Sequence, residues 1–399
     1  IGLFSTLFVL ILTFLQSNNW KFYLGLAEII FVVVVCVVEL LLRLTHRIEV
    51  NLDPADDYLK RVSKGLQIRA AAFFYSFDQV SGLDSAISDK YLTKEFWEEL
   101  TRYRTNGMFE RGKDRGILGN KDISGKYINV LNGMRVTPNQ PASAEKKILL
   151  FGGSNIITYE SQDDKTPSAF LQNQIIKMGS SYKVENHGVG SASIADCMKR
   201  LRLTDISQND IIIFLFGIND VGINSPSKLV SKGLFKKIPF WCEATSLLRD
   251  RSRIVDWLYL KTVVLVSTDL KAHPAILKRT ITTCYEIVDF LKSKNIEFVL
   301  ILQPNLYTKK IKNLFENWLR ESYPQHWETV VLTGYTVLQK QFCEDKNFEM
   351  AIDIFDWSHD SYYLDWAHVN SLGNEIIAQH ILNILLDRGM LVSETAPNC

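Results

Sequence analysis

The chain has 399 residues, of which 47% are hydrophobic and 22% charged, and a formal net charge of +1. That length holds one large domain, or one domain with an appendage. The near-neutral balance excludes the clustered basic face that nucleic-acid binding calls for, and cysteines at 36, 197, 242, 284, 343 and 399 outline neither a zinc site nor a disulfide framework.

The first element is the apolar run of residues 1–16, IGLFSTLFVLILTFLQ, followed after SNNWK by a second run from Phe22 to Leu42. At 1.5 Å per residue the second run can cross the ~30 Å hydrocarbon layer of a bilayer. Glu28 and Glu39 count against this, because a carboxylate in lipid is costly; eleven residues apart, they share one helical face. The alternative is a buried soluble helix pair, although soluble helices are rarely apolar all round. Residues 1–45 are therefore expected to attach the chain to a membrane through one or two transmembrane segments. Because the chain begins at Ile1, a cleaved signal followed by an anchor is a further reading. Arg43 and Arg47 after the second run, counted literally, put the large domain in the cytoplasm; the charges are too few to decide, and orientation stays open.

Residues 46–145 read as a mixed polar lead-in with short helical stretches such as SDKYLTKEFWEELTRYR, ending in the linker RVTPNQPASAEKK. From residue 146 to 392, strands and helices alternate. KKILLF is a short continuous apolar run, as expected of a strand buried on both faces. Thr166 then caps a helix with Pro167 at its first position. YKVENH is a second strand and SIADCMKRLRL a second helix. DIIIFLFG (210–217) is the third strand, followed by a long, partly helical insertion at 221–295. EFVLILQP (297–304) is the fourth strand, AIDIFDW (351–357) a fifth, and SLGNEIIAQHILNILL (371–386) a closing amphipathic helix. This alternation predicts an α/β fold: a three-layer, doubly wound, flavodoxin-like parallel sheet. In such sheets ligands bind beyond the carboxyl ends of the strands, beside the switch point.

Four segments fall at that edge. Ser154 follows the first strand in FGGS, NHGVGSAS (186–193) the second and FGIND (216–220) the third, while DWAHVN (365–370) precedes the last helix. A serine hydroxyl becomes a nucleophile beside a base, and Gly152 and Gly153 let the backbone turn tightly ahead of Ser154. Taken alone, FGGS is equally a plain turn or a phosphate loop, but no Gly-Lys-Ser/Thr follows as a P-loop requires. His368 is the candidate base, and Asp365 is placed to accept its second N–H; in isolation the pair reads as a solvated loop. Asn219 after a highly apolar strand is either a turn residue or an amide aimed at a developing oxyanion. His187, His359, Asp220 and Asp360 flank these motifs and read as structural or solvated. His46, His273, His326 and His380 are scattered without metal-ligand spacing, so neither a metal nor another cofactor is expected.

Together the four segments resemble the SGNH (GDSL-type) hydrolase family, in order as well as content, over roughly Lys146 to the last helix. NVLNGMRV (129–136) and DDKTPSAFLQ are similar to a membrane-associated or secreted branch of it. The resemblance implies a Ser154–His368–Asp365 triad. It also implies an oxyanion hole from the Ser154 amide, the amide of Gly190 or Ser191, and the Asn219 side chain. This chain departs from the pattern in having Gly153 where the family has Asp, and Ser191 where it has the glycine that donates an amide. The implied activity is a membrane-anchored esterase acting on a small-molecule, lipid or glycan ester. The alternatives are an O-acyltransferase of envelope polysaccharide using the same residues, or a membrane-tethered scaffold that has lost catalysis.

Overall fold

The computed structural model describes residues 94–105, 109–111, 117–144, 146–221, 272–323 and 325–391. All of them fall in the compact unit formed by Asp56–Pro226 and Asp269–Cys399. The apolar runs of residues 1–45, and residues 222–271 of the insertion, lie outside the described residues. Among the described residues no helix is long and apolar enough to cross a membrane.

The lead-in supplies helix α1 (Lys94–Thr105), the antiparallel pair β1 (Phe109–Arg111) and β2 (Ile117–Asn120), and strands β3 (Ile123–Ser124), β4 (Asn129–Leu131) and β5 (Met134–Arg135). Five parallel strands follow: β6 (Lys147–Gly152), β7 (Lys183–Gly188), β8 (Ile211–Phe216), β9 (Glu297–Leu302) and β10 (Phe348–Met350). They run in the order β7-β6-β8-β9-β10. That is the second-first-third-fourth-fifth order of flavodoxin-like sheets, with the switch point at β6.

Period-two alternation along these strands builds two cores. Leu149, Phe151, Ile212, Phe214, Leu300 and Leu302 face one side, against helices α4 (Ile194–Leu203), α5 (Pro274–Ser293) and α7 (Gln325–Phe342). Ile148, Leu150, Ile211, Ile213, Val299 and Ile301 face the other, against α3 (Pro167–Lys177), α6 (Leu314–Ser322) and α8 (Ser371–Asp387). Three layers result. Thr166 caps α3 by accepting from the Ala169 amide, with Pro167 at the first position; Ser193 opens α4 in a capping box with Asp196.

The structure departs from the sequence reading in three places. The lead-in is not separate from the sheet: β5 pairs antiparallel with β7 through Arg135 and Asn186, and β4 and β3 extend it to eight strands. An exposed edge of β7 would invite pairing with another chain, and the hairpin covers it. The fifth strand is Phe348–Met350, not 351–357, which forms turns in which Ala351 and Phe355 reach the core. Finally, two helices that the sequence reading did not identify, α6 and α7, lie between β9 and β10; the helical part expected of the 221–295 insertion is α5, which leads into β9.

Candidate active site

Strand β6 ends at Gly152, and Ser154 opens a single helical turn, α2 (Ser154–Ile157), closed by Thr158 at φ 46°. Two glycines let this turn lie flat on the sheet end. A Cβ on Gly152 would stand 2.6 Å from Ile156 Cγ1, and one on Gly188 would stand 2.3 Å from the Ile157 nitrogen. Asn186, the first residue of the second motif, donates from Nδ2 to the Ile156 carbonyl at 2.7 Å. Residues 155–157 are buried beneath while Ser154 itself is half-buried. As the first residue of a helix, its amide has no partner within the helix.

Asn219 lies directly beside this turn. Its Nδ2 donates to the Ala192 carbonyl at 3.0 Å. A Cβ on Gly153 would stand 2.5 Å from that same Nδ2. Any side chain at position 153 would therefore meet the Asn219 amide. Gly217 ahead of Asn219 has φ 134°, and a Cβ there would stand 2.7 Å from the Tyr335 hydroxyl. Asp220, read from sequence as structural or solvated, is buried. Its carboxylate accepts from the Ile194 and Gly217 amides at 2.7 and 2.9 Å, tying the third motif to the start of α4. Burial pushes its pKa up to about 6.

The second motif ends in a turn closed by the Ala192 amide donating to the Val189 carbonyl. Ser191 sits at its third position with φ 62° and is exposed. It therefore holds the left-handed backbone that favours glycine. The Gly190 amide faces the buried Tyr159 hydroxyl, whose own pKa burial raises.

Asp365 and His368 are bonded. The His368 Nδ1 lies 2.7 Å from Asp365 Oδ2, and Asp365 Oδ1 accepts from the amides of Ala367 and His368, both at 2.7 Å. Asp365 is 1% exposed and the His368 side chain 12%. Facing a carboxylate that only accepts, Nδ1 is the donor of this bond. The loop is held by the Leu364 amide on the His368 carbonyl and by the Leu306 amide on the Trp366 carbonyl. Asn370 next caps α8 by accepting from the Gly373 amide. Asn374, in the first turn of α8, donates to Ser161 Oγ at 3.0 Å and the Lys165 carbonyl at 2.9 Å, linking the segments that follow His368 and Ser154. Among the described residues no hydrogen bond joins Ser154 Oγ to His368 Nε2.

The remaining polar candidates have other places. His187 is buried, stacked on Phe151 and paired with Glu185 at 3.1 Å, and burial lowers its pKa. His359 and Asp360 are exposed. His273 caps α5, and burial lowers the pKa of His380 on α8. His46 lies outside the described residues. Among the described residues no three His, Cys, Asp or Glu side chains gather as a metal-ligand set.

Sequence reasoning assigned no role to Asn120 or Arg135. Both are buried, and both reach this site from the lead-in. The only signal was that Arg135 lies within the quoted segment NVLNGMRV.

No family model and no curated protein matches the chain. Among solved structures it is similar to the acetyl xylan esterase AlAXEase, with 14% identity, 59% of this chain and 98% of that chain covered and a TM-score of 0.35. It is also similar to a lipolytic protein of the G-D-S-L family from Veillonella parvula, with 12% identity, 60% and 98% covered and a TM-score of 0.35. A third is the acetyl xylan esterase Axe2 from Geobacillus stearothermophilus, with 14% identity, 61% and 95% covered and a TM-score of 0.36.

Proposed function

We propose that the chain is a serine esterase of SGNH type. The observation that carries this reading is the Asp365–His368 pair, in which a buried carboxylate holds Nδ1 at 2.7 Å and so orients the ring. In the proposed cycle Ser154 Oγ attacks the acyl carbonyl carbon and its proton passes to His368 Nε2. Asp365 stabilises the imidazolium. The Ser154 amide, the Ser191 amide and Asn219 Nδ2 hold the oxyanion. Collapse breaks the ester C–O bond, and the leaving alcohol takes the proton from Nε2. Water then repeats the sequence on the acyl-enzyme, releasing the acid and freeing Ser154.

The apolar runs of residues 1–16 and 22–42 favour membrane attachment of this chemistry, with a small-molecule, lipid or glycan ester as substrate. They also sustain a second reading, in which a sugar hydroxyl replaces water and the product is an O-acylated envelope polysaccharide. Labelling with a fluorophosphonate probe tests the shared first step. Wild-type protein is expected to label and Ser154→Ala not to. Equal labelling of the two proteins, or none of either, overturns the proposal. Competition between water and added glycan for the acyl group then separates hydrolysis from transfer.

A further inference from the structure

We infer that the lead-in is part of the catalytic apparatus: Arg135 and Asn120 are positioning residues that hold the nucleophile turn and the oxyanion turn in register. The inference rests on the esterase reading above. Arg135, in β5, buries its guanidinium behind α2. Its Nε donates to Asp163 Oδ1 and its Nη2 to the Ser161 carbonyl, both at 2.7 Å, while Nη1 reaches the Ile157 and Thr158 carbonyls at 3.5 Å. Those two carbonyls end the turn that Ser154 begins. The Asp163 carboxylate is held in turn by the amide and Nδ2 of Asn129, at 3.0 and 2.7 Å. A cation at the carboxyl end of a helical turn is electrostatically favourable, and the planar fork fixes several carbonyls at once.

Asn120, at the end of β2, makes the matching contact on the other turn. Its Nδ2 donates to the Gly188 carbonyl at 2.8 Å and the Gly133 carbonyl at 3.0 Å, and its Oδ1 accepts from the Tyr159 hydroxyl at 2.7 Å. Tyr159 follows the nucleophile turn, and its oxygen faces the Gly190 amide. One side chain thereby spans the nucleophile segment and the 188–191 turn. Phe96, Leu100, Ile128 and Val130 of the lead-in pack with Ile157 and Tyr159 in a common buried cluster and back the network. Buried polar groups with every bond made resist displacement, because any shift leaves one of them unpaired.

The test uses the full chain, with Arg135→Lys, Asn120→Ala and Asn120→Asp. Arg135→Lys keeps the charge and loses the fork; Asn120→Asp keeps the volume and loses the donor to Gly188. Steady-state kinetics on a short-chain ester, fluorophosphonate labelling rates and thermal unfolding are measured together. A misplacement near 1 Å predicts a kcat loss of about 10²-fold. KM is expected to stay within about threefold, with labelling slowed in parallel in protein that is still folded. A folded variant set with kcat within about threefold of wild type overturns the proposal, as does loss of folding in all three, which assigns both residues to stability alone. Failure of the esterase reading itself is seen separately, in wild-type labelling that Ser154→Ala leaves unchanged.

Discussion

Replacing Gly153 by alanine tests whether that glycine exists to make room for the Asn219 amide. The new Cβ would lie 2.5 Å from Asn219 Nδ2 and 3.2 Å from the Ala192 carbonyl. An ordinary carbon–nitrogen contact is about 3.5 Å, so the amide must retreat by about 1 Å. Nδ2 is the far end of a side chain, and the protein can yield there at modest cost. The expected stability loss is the hydrogen bond to Ala192, about 0.5–1.5 kcal/mol. Catalysis is expected to lose far more. Displacing an oxyanion donor by that distance predicts a kcat loss of about 10²–10³-fold, equal to removing it. The assay is a cycle of Gly153→Ala, Asn219→Ala and the double variant, with kcat, KM and urea unfolding measured for each. The double variant should be no slower than Asn219→Ala alone, because the clash has lost its target, and its stability loss should be smaller than the sum of the singles. Gly153→Ala retaining kcat within about threefold, or losses in kcat that multiply, would refute the steric argument.

Two further substitutions probe the site from other sides. Asp365→Asn should lower kcat by about 10⁴-fold at neutral pH, because an amide can hold the ring in the wrong tautomer; steady-state kinetics showing less than about tenfold would remove Asp365 from the triad. Asp220 has its folded pKa raised from 3.8 to about 6 by burial, so the folded chain binds a proton more readily than the unfolded one. Its contribution is therefore fully present below pH ~4 and lost as pH rises through ~6, a swing of about 3 kcal/mol. Urea unfolding of wild type and Asp220→Asn from pH 4 to 7 should show their difference change by that amount; a flat difference would mean that Asp220 titrates normally.

Legibility differed from motif to motif. FGGS, GIND and the D-x-x-H pair were visible because each is a few residues long and sits where an apolar run stops. The surroundings of the 188–191 turn were not, because Asn120, which donates to the Gly188 carbonyl, comes from another segment. Whether Asp220 was structural or solvated stayed open, since its two amide partners, at Gly217 and Ile194, meet it only after folding. The turns at 351–357 mimicked a strand because Ala351 and Phe355 reach the core without a ladder.

Read along the chain, the amino acids alone determined the parallel α/β layering. Continuous apolar runs such as ILLF and IIIFLF have to be buried on both faces, and capped, periodic helices have to cover them. They also determined the chemical types at the carboxyl edge. Only the tertiary structure decided that the lead-in joins the sheet, that Gly153 makes way for Asn219, and that Arg135 and Asn120 reach the two turns around Ser154. Propensity and periodicity act between near neighbours in sequence. Hydrogen bonds between segments tens of residues apart are set by where packing brings the backbone, and no local pattern encodes that position.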